Sequence, residues 1–485
     1  MRMWEASPWS LLCVLTGLYA LVLVARIRRK RKARAYRFPP GRRSWPLIGD
    51  SLQWYSAVAS SHPPKYVEEQ AKRYGKIFSC RVFGKWAVVS VDPVFNRYVM
   101  QNEGKLFKSS YPKSFRDLVG TNGVITAQGE QQRKLHAMAS NMMRLHDLKF
   151  QFLRDIQIII IQTLGSFHNG QLICLQDIAI NLIVSQVLGV SSESEVDEIS
   201  GLFYDFVDGC LSIPINFPGF AYYGAMKARE QMIGKIKKKI AWHKARMAEG
   251  RGGEGMLGGV LEEQKLSDEA VADFIINLLF AGNETTSKTM LFAVYFLTHS
   301  PTAMKQLVDE QQGLTNKNGD HTITWQDYKS MPFTQCVIDE TLRLGGIAIW
   351  LMREAKEEIE YSDYVIPKGC FVVPFLSAVH LDETIYREAS TFNPWRWMEL
   401  KNQEMRNWRS SPFFAPFGGG ARLCPGAELA RLQIALFLHH FVTKYSQRLP
   451  NSLEHIPTLT SDFQMNEAPI NVSSFVFYFT YFSPK

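Results

Sequence analysis

Cysteine is scarce here and never grouped. The seven cysteines, at positions 13, 80, 174, 210, 336, 370 and 424, are odd in number and form no Cys-x-x-Cys pair. That argues against zinc, against a disulfide framework and for a reducing compartment. No repeat of 20–50 residues is visible, which excludes solenoids and propellers, and no linker divides the body. A dinucleotide fingerprint is also missing. Gly250-Arg251-Gly252-Gly253-Glu254-Gly255 fits Gly-x-Gly-x-x-Gly, but it follows the lysine-rich helical segment Met226–Arg246 instead of a strand, and reads as a loop.

Acidic residues are absent from 26–43, where ten basic residues stand: Arg26, Arg28, Arg29, Lys30, Arg31, Lys32, Arg34, Arg37, Arg42 and Arg43. The chain carries 55 basic and 46 acidic side chains, a net +9, so without this block the balance is 45 − 46 = −1. The basic character therefore marks topology, and a nucleic-acid surface, which needs basic residues spread over the folded body, is disfavoured. Just before the block, Trp9–Ala25 is an apolar run of 17 residues broken only by Ser10, Thr16 and Gly17. It is near the lower limit of roughly 20 residues for a spanning helix. Positive charge after the run favours an uncleaved anchor with the body on the cytoplasmic side, over a cleaved signal peptide. Asn283-Glu284-Thr285 and Asn471-Val472-Ser473 are then expected to stay unmodified.

With 46% apolar and 21% charged residues, the rest has ample material for a core. We divide it into an anchor (1–25), a basic, proline-rich hinge (26–50) and a body (51–485). Strand-like runs at 77–83 and 86–91 precede helical periodicity over about 130–298. Further strand-rich patches follow at 359–375 and 470–482. The pattern predicts one large, mainly α body with small β-sheets, an α+β arrangement.

Chemistry concentrates at Phe417-Gly418-Gly419-Gly420-Ala421-Arg422-Leu423-Cys424-Pro425-Gly426. A glycine-rich turn permits close backbone approaches, and the helix expected from about Ala427 places its positive end near Cys424. That end and the nearby Arg422 both favour a thiolate. Most free cysteines are small buried hydrophobes, a reading that suits the other six. A second notable stretch, Ile275–Thr286, puts Glu284, Thr285 and Thr286 inside a long apolar helix. Thr285 can hydrogen-bond a carbonyl one turn earlier, beside small Ala281 and Gly282; alone, this fits an ordinary packing notch as well. Glu340 and Arg343 stand at i and i+3, where they can pair.

Phe-x-x-Gly-x-Arg-x-Cys-x-Gly is matched at every fixed position and resembles the haem-ligand loop of the cytochrome P-450 monooxygenases. The resemblance covers nearly the whole chain, in family order. It implies haem b (iron protoporphyrin IX) with Cys424 as axial ligand to the iron, and Phe417 in the cofactor loop. Ala281-Gly282-Asn283-Glu284-Thr285-Thr286 is similar to the family's oxygen-activating motif, which makes Thr285 the holder of O2 and Glu284 a proton relay. Glu340, Arg343 and Arg396, the last in Phe392-Asn393-Pro394-Trp395-Arg396-Trp397, are implied as a structural ion-pair network. Arg422 and Arg353 are implied partners of the haem propionates. Where the family has Trp-x-x-x-Arg, this chain has Gln132 and His136, leaving His136 as third donor with Arg133 as fallback.

The segments expected to line a pocket are Tyr111–Val124, Phe274–Ala281, Gly345–Leu351 and Met465–Ile470. All are largely apolar and suit a hydrophobic, sterol-like substrate. Lys108–Ser114, the Ala281–Thr286 motif and Phe417–Ala430 look most like plant steroid and brassinosteroid hydroxylases, nearest to the sterol side-chain (C-22) hydroxylases. The resemblance implies hydroxylation of an unactivated C–H bond, with electrons from an NADPH-dependent flavoprotein reductase, at the endoplasmic reticulum membrane. A triterpenoid or other terpenoid oxidase is the alternative. A haem-thiolate isomerase or dehydratase is disfavoured by the intact Glu284-Thr285-Thr286, and a haem sensor explains neither that helix nor the apolar segments.

Overall fold

The computed structural model describes residues 38–42, 49–51, 54 and 65–446, less short internal stretches (83, 121, 144–145, 147, 167–174, 190–191, 211, 252–254, 264–265 and 319–321). The anchor, most of the hinge, and the patches at 465–470 and 470–482 lie outside these residues. Among the described residues no helix is long and apolar enough to cross a membrane.

Helices dominate. Those that build the site are α1 (Pro93–Gln101), α2 (Lys113–Val119), α3 (Gly129–Met142), α4 (Leu175–Leu188), α5 (Glu193–Gly209), α6 (Ala221–Ala248), α7 (Asp268–Thr298), α8 (Pro332–Leu344) and α9 (Ala427–Ser446). In α6 the buried residues Tyr222, Ala225, Ala228, Met232, Ile236, Ile240 and His243 fall three or four apart. That is one face, which packs on α5 and α7.

The axis of the fold is α7. Ser267 caps it by accepting from the amide of Ala270, and Asp268 and Glu269 sit at its positive end. At 31 residues it is about 46 Å long, and it touches α2, α4, α6, α8 and α9. A helix covered on several sides has to be apolar nearly all round. One hydrophobic cluster runs through these helices from Phe115 to Val442.

The strands are short. β1 (Ile77–Val82) and β2 (Lys85–Ser90) form an antiparallel hairpin, matching the two runs read from the sequence. β3 (Phe107–Ser109), β4 (Arg353–Ala355) and β7 (Phe371–Pro374) complete a five-stranded sheet in the order β1-β2-β7-β4-β3, while β5 (Ile359–Tyr361) and β6 (Tyr364–Ile366) pair separately. β2 and β7 are parallel, with Ala87 opposite Phe371. β3 and β4 are antiparallel, with Ser109 opposite Arg353. Strands of three residues carry too little periodicity to be read from sequence, and neither β3 nor β4 was anticipated.

Candidate active site

The cysteine loop is seated on the C-terminal end of α1, and glycine is what allows it. Gly420 has φ +64°, and a Cβ there would lie 2.0 Å from the carbonyl oxygen of Met100. The loop then turns so that the Cys424 amide donates to the Phe417 carbonyl at 3.1 Å, and Ala430 to Gly426 opens α9 at 2.8 Å. Phe417 packs edge-on against Trp408, ring centroids 4.9 Å apart.

Among the described cysteines Cys424 alone is exposed; Cys80, Cys210, Cys336 and Cys370 are buried. Enclosure nevertheless pushes the Cys424 thiol above its ordinary value, opposed by a backbone hydrogen bond from Gly426. The residue is thus reachable while its thiol is largely surrounded by protein. The Arg422 guanidinium is engaged elsewhere. Its Nε donates to Glu103 at 2.7 Å, and its Nη atoms donate to the carbonyls of Ile125 (2.9 Å) and Ala127 (2.6 Å).

On α7, Ala281 and Thr285 are exposed, one turn apart, in a helix that is otherwise mostly buried. The Thr285 hydroxyl donates to the Ala281 carbonyl at 2.7 Å. Gly282 faces the other way: a Cβ would come within 2.4 Å of Ile183 on α4. Ala281 thus borders the opening at Thr285, while Gly282 serves helix packing. Glu284 is ion-paired with Lys288, one turn further along. Tyr111, Phe115, Phe280 and Phe206 form a chain of ring contacts joining α2, α7 and α5, with centroids 5.0, 5.6 and 6.2 Å apart. An exposed thiol on a glycine loop, and on α7 an exposed alanine and threonine beside an apolar aromatic cluster, fit a flat group with one sulfur ligand.

Further polar residues of α7 hold segment 118–125 over this region. Asn277 donates to the Val119 carbonyl at 2.7 Å and accepts from the Ile125 amide at 3.2 Å. Asp273 accepts from Arg229 of α6 and, at 3.4 Å, from Asn122. A Cβ at Gly123 would sit 1.9 Å from Asn277. Their only trace in the sequence is polarity at i and i+4 inside an apolar run.

Arg353 is 3% exposed and its Nε lies 2.6 Å from Oε2 of Glu103, so Glu103 stands between Arg353 and Arg422. Glu103 has no sequence signal of any kind. His136 does not meet an acid: its Nε2 lies 2.7 Å from the carbonyl of Leu423, in the cysteine loop, and Gln132 donates to Ala421 at 3.0 Å. Both side chains stop at the backbone of the cysteine loop. Arg133 is exposed.

The trio around Glu340 is brought together and buried. Arg343 grips both carboxylate oxygens (3.0 and 2.8 Å), Arg396 donates to Oε1 (2.9 Å) and Trp397 to Oε2 (2.9 Å). Arg343 also donates to the carbonyls of His380 and Ala389, so every charge has a partner, as burial demands.

The sequence profile of the family described as Cytochrome P450 matches residues 39–473. An abietadienol/abietadienal oxidase of Pinus taeda is 44% identical over 413 residues, 84% of each chain. A cholesterol 22-monohydroxylase of Paris polyphylla is 35% identical over 90% of this chain and 94% of its own. A steroid (22S)-hydroxylase of Brachypodium distachyon is 34% identical over 91% and 89%. A cyanobacterial cytochrome P450 solved with retinoic acid bound shares the fold, with TM-score 0.73 at 24% identity over 84% of this chain and 92% of its own. This chain belongs to the cytochrome P450 family and is a haem-dependent monooxygenase.

Proposed function

We propose that the chain oxidises a large, apolar, polycyclic terpenoid, with the diterpenoid reading ahead of the sterol one. The observation that carries the substrate class is the pair of exposed residues Ala281 and Thr285 on α7, next to the part-exposed ring of Phe280, which is linked through buried Phe115 to part-exposed Tyr111; this surface is apolar with few polar anchors. The likeness to the abietadienol/abietadienal oxidase, 44% identity against 33–35% for the cholesterol and steroid hydroxylases, supports a fused-ring diterpene. The sterol side-chain reading, C-22 included, stands second on the strength of those steroid relatives.

In this reading Cys424 holds the haem iron as a thiolate, and Arg353 and Arg422 meet the haem carboxylates. When bound, the haem supplies dioxygen activation and oxygen-atom insertion. Thr285 holds one proton on Oγ1; hydrogen-bonded to Ala281, it can turn that proton toward the pocket without breaking the helix. Glu284 carries protons inward once it leaves Lys288. The part-exposed rings of Tyr111 and Phe280, backed by buried Phe115 and Phe206, exclude water and help orient the substrate C–H bond.

Electrons come from an NADPH-dependent flavoprotein reductase, and the anchor at 1–25 places the body on the cytoplasmic face of the endoplasmic reticulum. The loop between α5 and α6 supports a membrane-facing surface. There Ile213, Ile215, Phe217 and Phe220 are 72%, 39%, 64% and 45% exposed, an apolar group that water alone does not favour. The test is incubation of reductase-supplied membranes with abietadienol, abietadienal, cholesterol and a triterpene, read by mass spectrometry. An oxygenated abietane product supports the first reading. A product from cholesterol alone replaces it with the second, and no product from any of them sinks both.

A further inference from the structure

Glu103 is the buried acid for which the reaction has no use. It follows α1 in the segment Gln101-Asn102-Glu103-Gly104 and is 3% exposed at its side chain. Oε1 accepts from Arg422 Nε at 2.7 Å and from the Ser109 amide at 3.0 Å. Oε2 lies 2.6 Å from Arg353 Nε, but the two are too poorly aligned to form a hydrogen bond, and each is left without one. One carboxylate thus faces two guanidiniums, satisfying the first and merely neighbouring the second.

We propose that Glu103 is a placeholder for the haem carboxylates. It offsets part of the positive charge of Arg353 and Arg422 when no haem is bound, and competes with the haem for them when it is. The inference rests on the assignment of those arginines under Proposed function. Two buried guanidiniums without an acid would be costly, so the haem-free chain needs Glu103. Once two haem carboxylates arrive, the arginines are already balanced and Glu103 becomes a surplus negative charge beside them. The misaligned Arg353 contact is the weak side, from which a guanidinium can turn to a new acceptor. Glu103 therefore sets how firmly haem is retained, and touches neither substrate nor oxygen.

The test is Glu103→Gln, which keeps the shape and removes the charge, with Glu103→Asp as the charge-retaining control. Haem loss from each loaded protein is followed with excess haem-free globin as scavenger, and unfolding midpoints are taken for haem-loaded and haem-stripped protein. E103Q is expected to lose haem about fivefold or more slowly than wild type, and to have a haem-stripped form that is destabilised more than its loaded form. Its haem reduction potential should move to more positive values, since a nearby negative charge is gone; E103D should behave as wild type. Faster haem loss from E103Q, or equal destabilisation of both forms, overturns the proposal. So does failure of E103Q to accumulate with haem supplied, because the loaded state is the one predicted to suffer least. Arg353→Met and Arg422→Met separate the premises. If both retain haem as wild type does, the arginine assignment falls; if they lose it faster and E103Q does too, only the role of Glu103 falls.

Discussion

Arg229 on α6 ties two elements at once: it pairs with Asp273 of α7, and its Nε donates 2.7 Å to the carbonyl of Leu118. The tie closes α6 over segment 118–125, which Asn277 holds from below. Arg229→Met should loosen that cover. The expected result is roughly tenfold or greater acceleration of the release of a haem-binding azole, the equivalent of ~1.4 kcal/mol or more for the loss of its contacts to Asp273 and Leu118. KM should rise with kcat little changed. Stopped-flow displacement measures the first, and an unaltered release rate would show that the cover opens elsewhere.

Cys424→Ala should abolish the red-shifted carbon-monoxide band of the reduced protein, because that band depends on a sulfur ligand to the iron. Difference spectroscopy reads it directly. A retained band would refute the ligand assignment.

Thr285→Ala should leave haem content and the carbon-monoxide band intact while lowering product formed per NADPH consumed by about tenfold or more. Thr285→Ser keeps the hydroxyl and its reach to Ala281, and is expected to recover most of the coupling. Equal coupling in all three proteins would remove Thr285 from the reaction.

Glu340→Gln leaves Arg343 and Arg396 buried with a weakened partner. Breaking such a cluster costs about 3–5 kcal/mol, enough to cut the yield of folded protein sharply. Expression with haem supplied, followed by thermal unfolding, checks this; a wild-type midpoint would mean that water reaches the cluster.

Asp208, at the end of α5, has its carboxyl raised by partial burial and then by the nearby charges of Asp205 and Glu284. A carboxyl whose folded value lies above its unfolded one weakens the fold where it is charged, and the penalty disappears as pH falls below the unfolded value. Asp208→Asn should therefore raise the unfolding midpoint at neutral pH and make no difference below about pH 3.5, under the ordinary aspartate value of about 3.9. An increase of the same size at both pH values would exclude a charge effect.

The cysteine loop was legible because its chemistry is local: glycine stands where Gly420 meets the Met100 carbonyl, and the ligand follows four residues later. Glu340 and Arg343 were legible because helical spacing brings them together. The longer reach to Arg396 needed the family resemblance. What was hidden depends on distant partners. Glu103 meets an arginine 319 residues further on, and nothing in its own neighbourhood marks it. The acceptors of Arg422 outside its own loop, Glu103 and the carbonyls of Val124, Ile125 and Ala127, are equally unmarked in the sequence. Gly282 was read only as a small residue beside Thr285, and the position of Ile183 is what shows it to be helix-contact surface.

The pairing of Ser109 with Arg353 across β3 and β4 gives this small sheet a way of rejecting its own errors. Successive residues of a strand point to opposite faces. A slip of β4 by one residue would carry Arg353 away from Glu103 and bring either Met352 or Glu354 to its side. One of these leaves a buried acid without a cation, and the other sets two acids face to face. A three-residue strand has too few hydrogen bonds to secure its own alignment, so here the ion pair of Arg353 with Glu103 also selects the register in which the strand can fold.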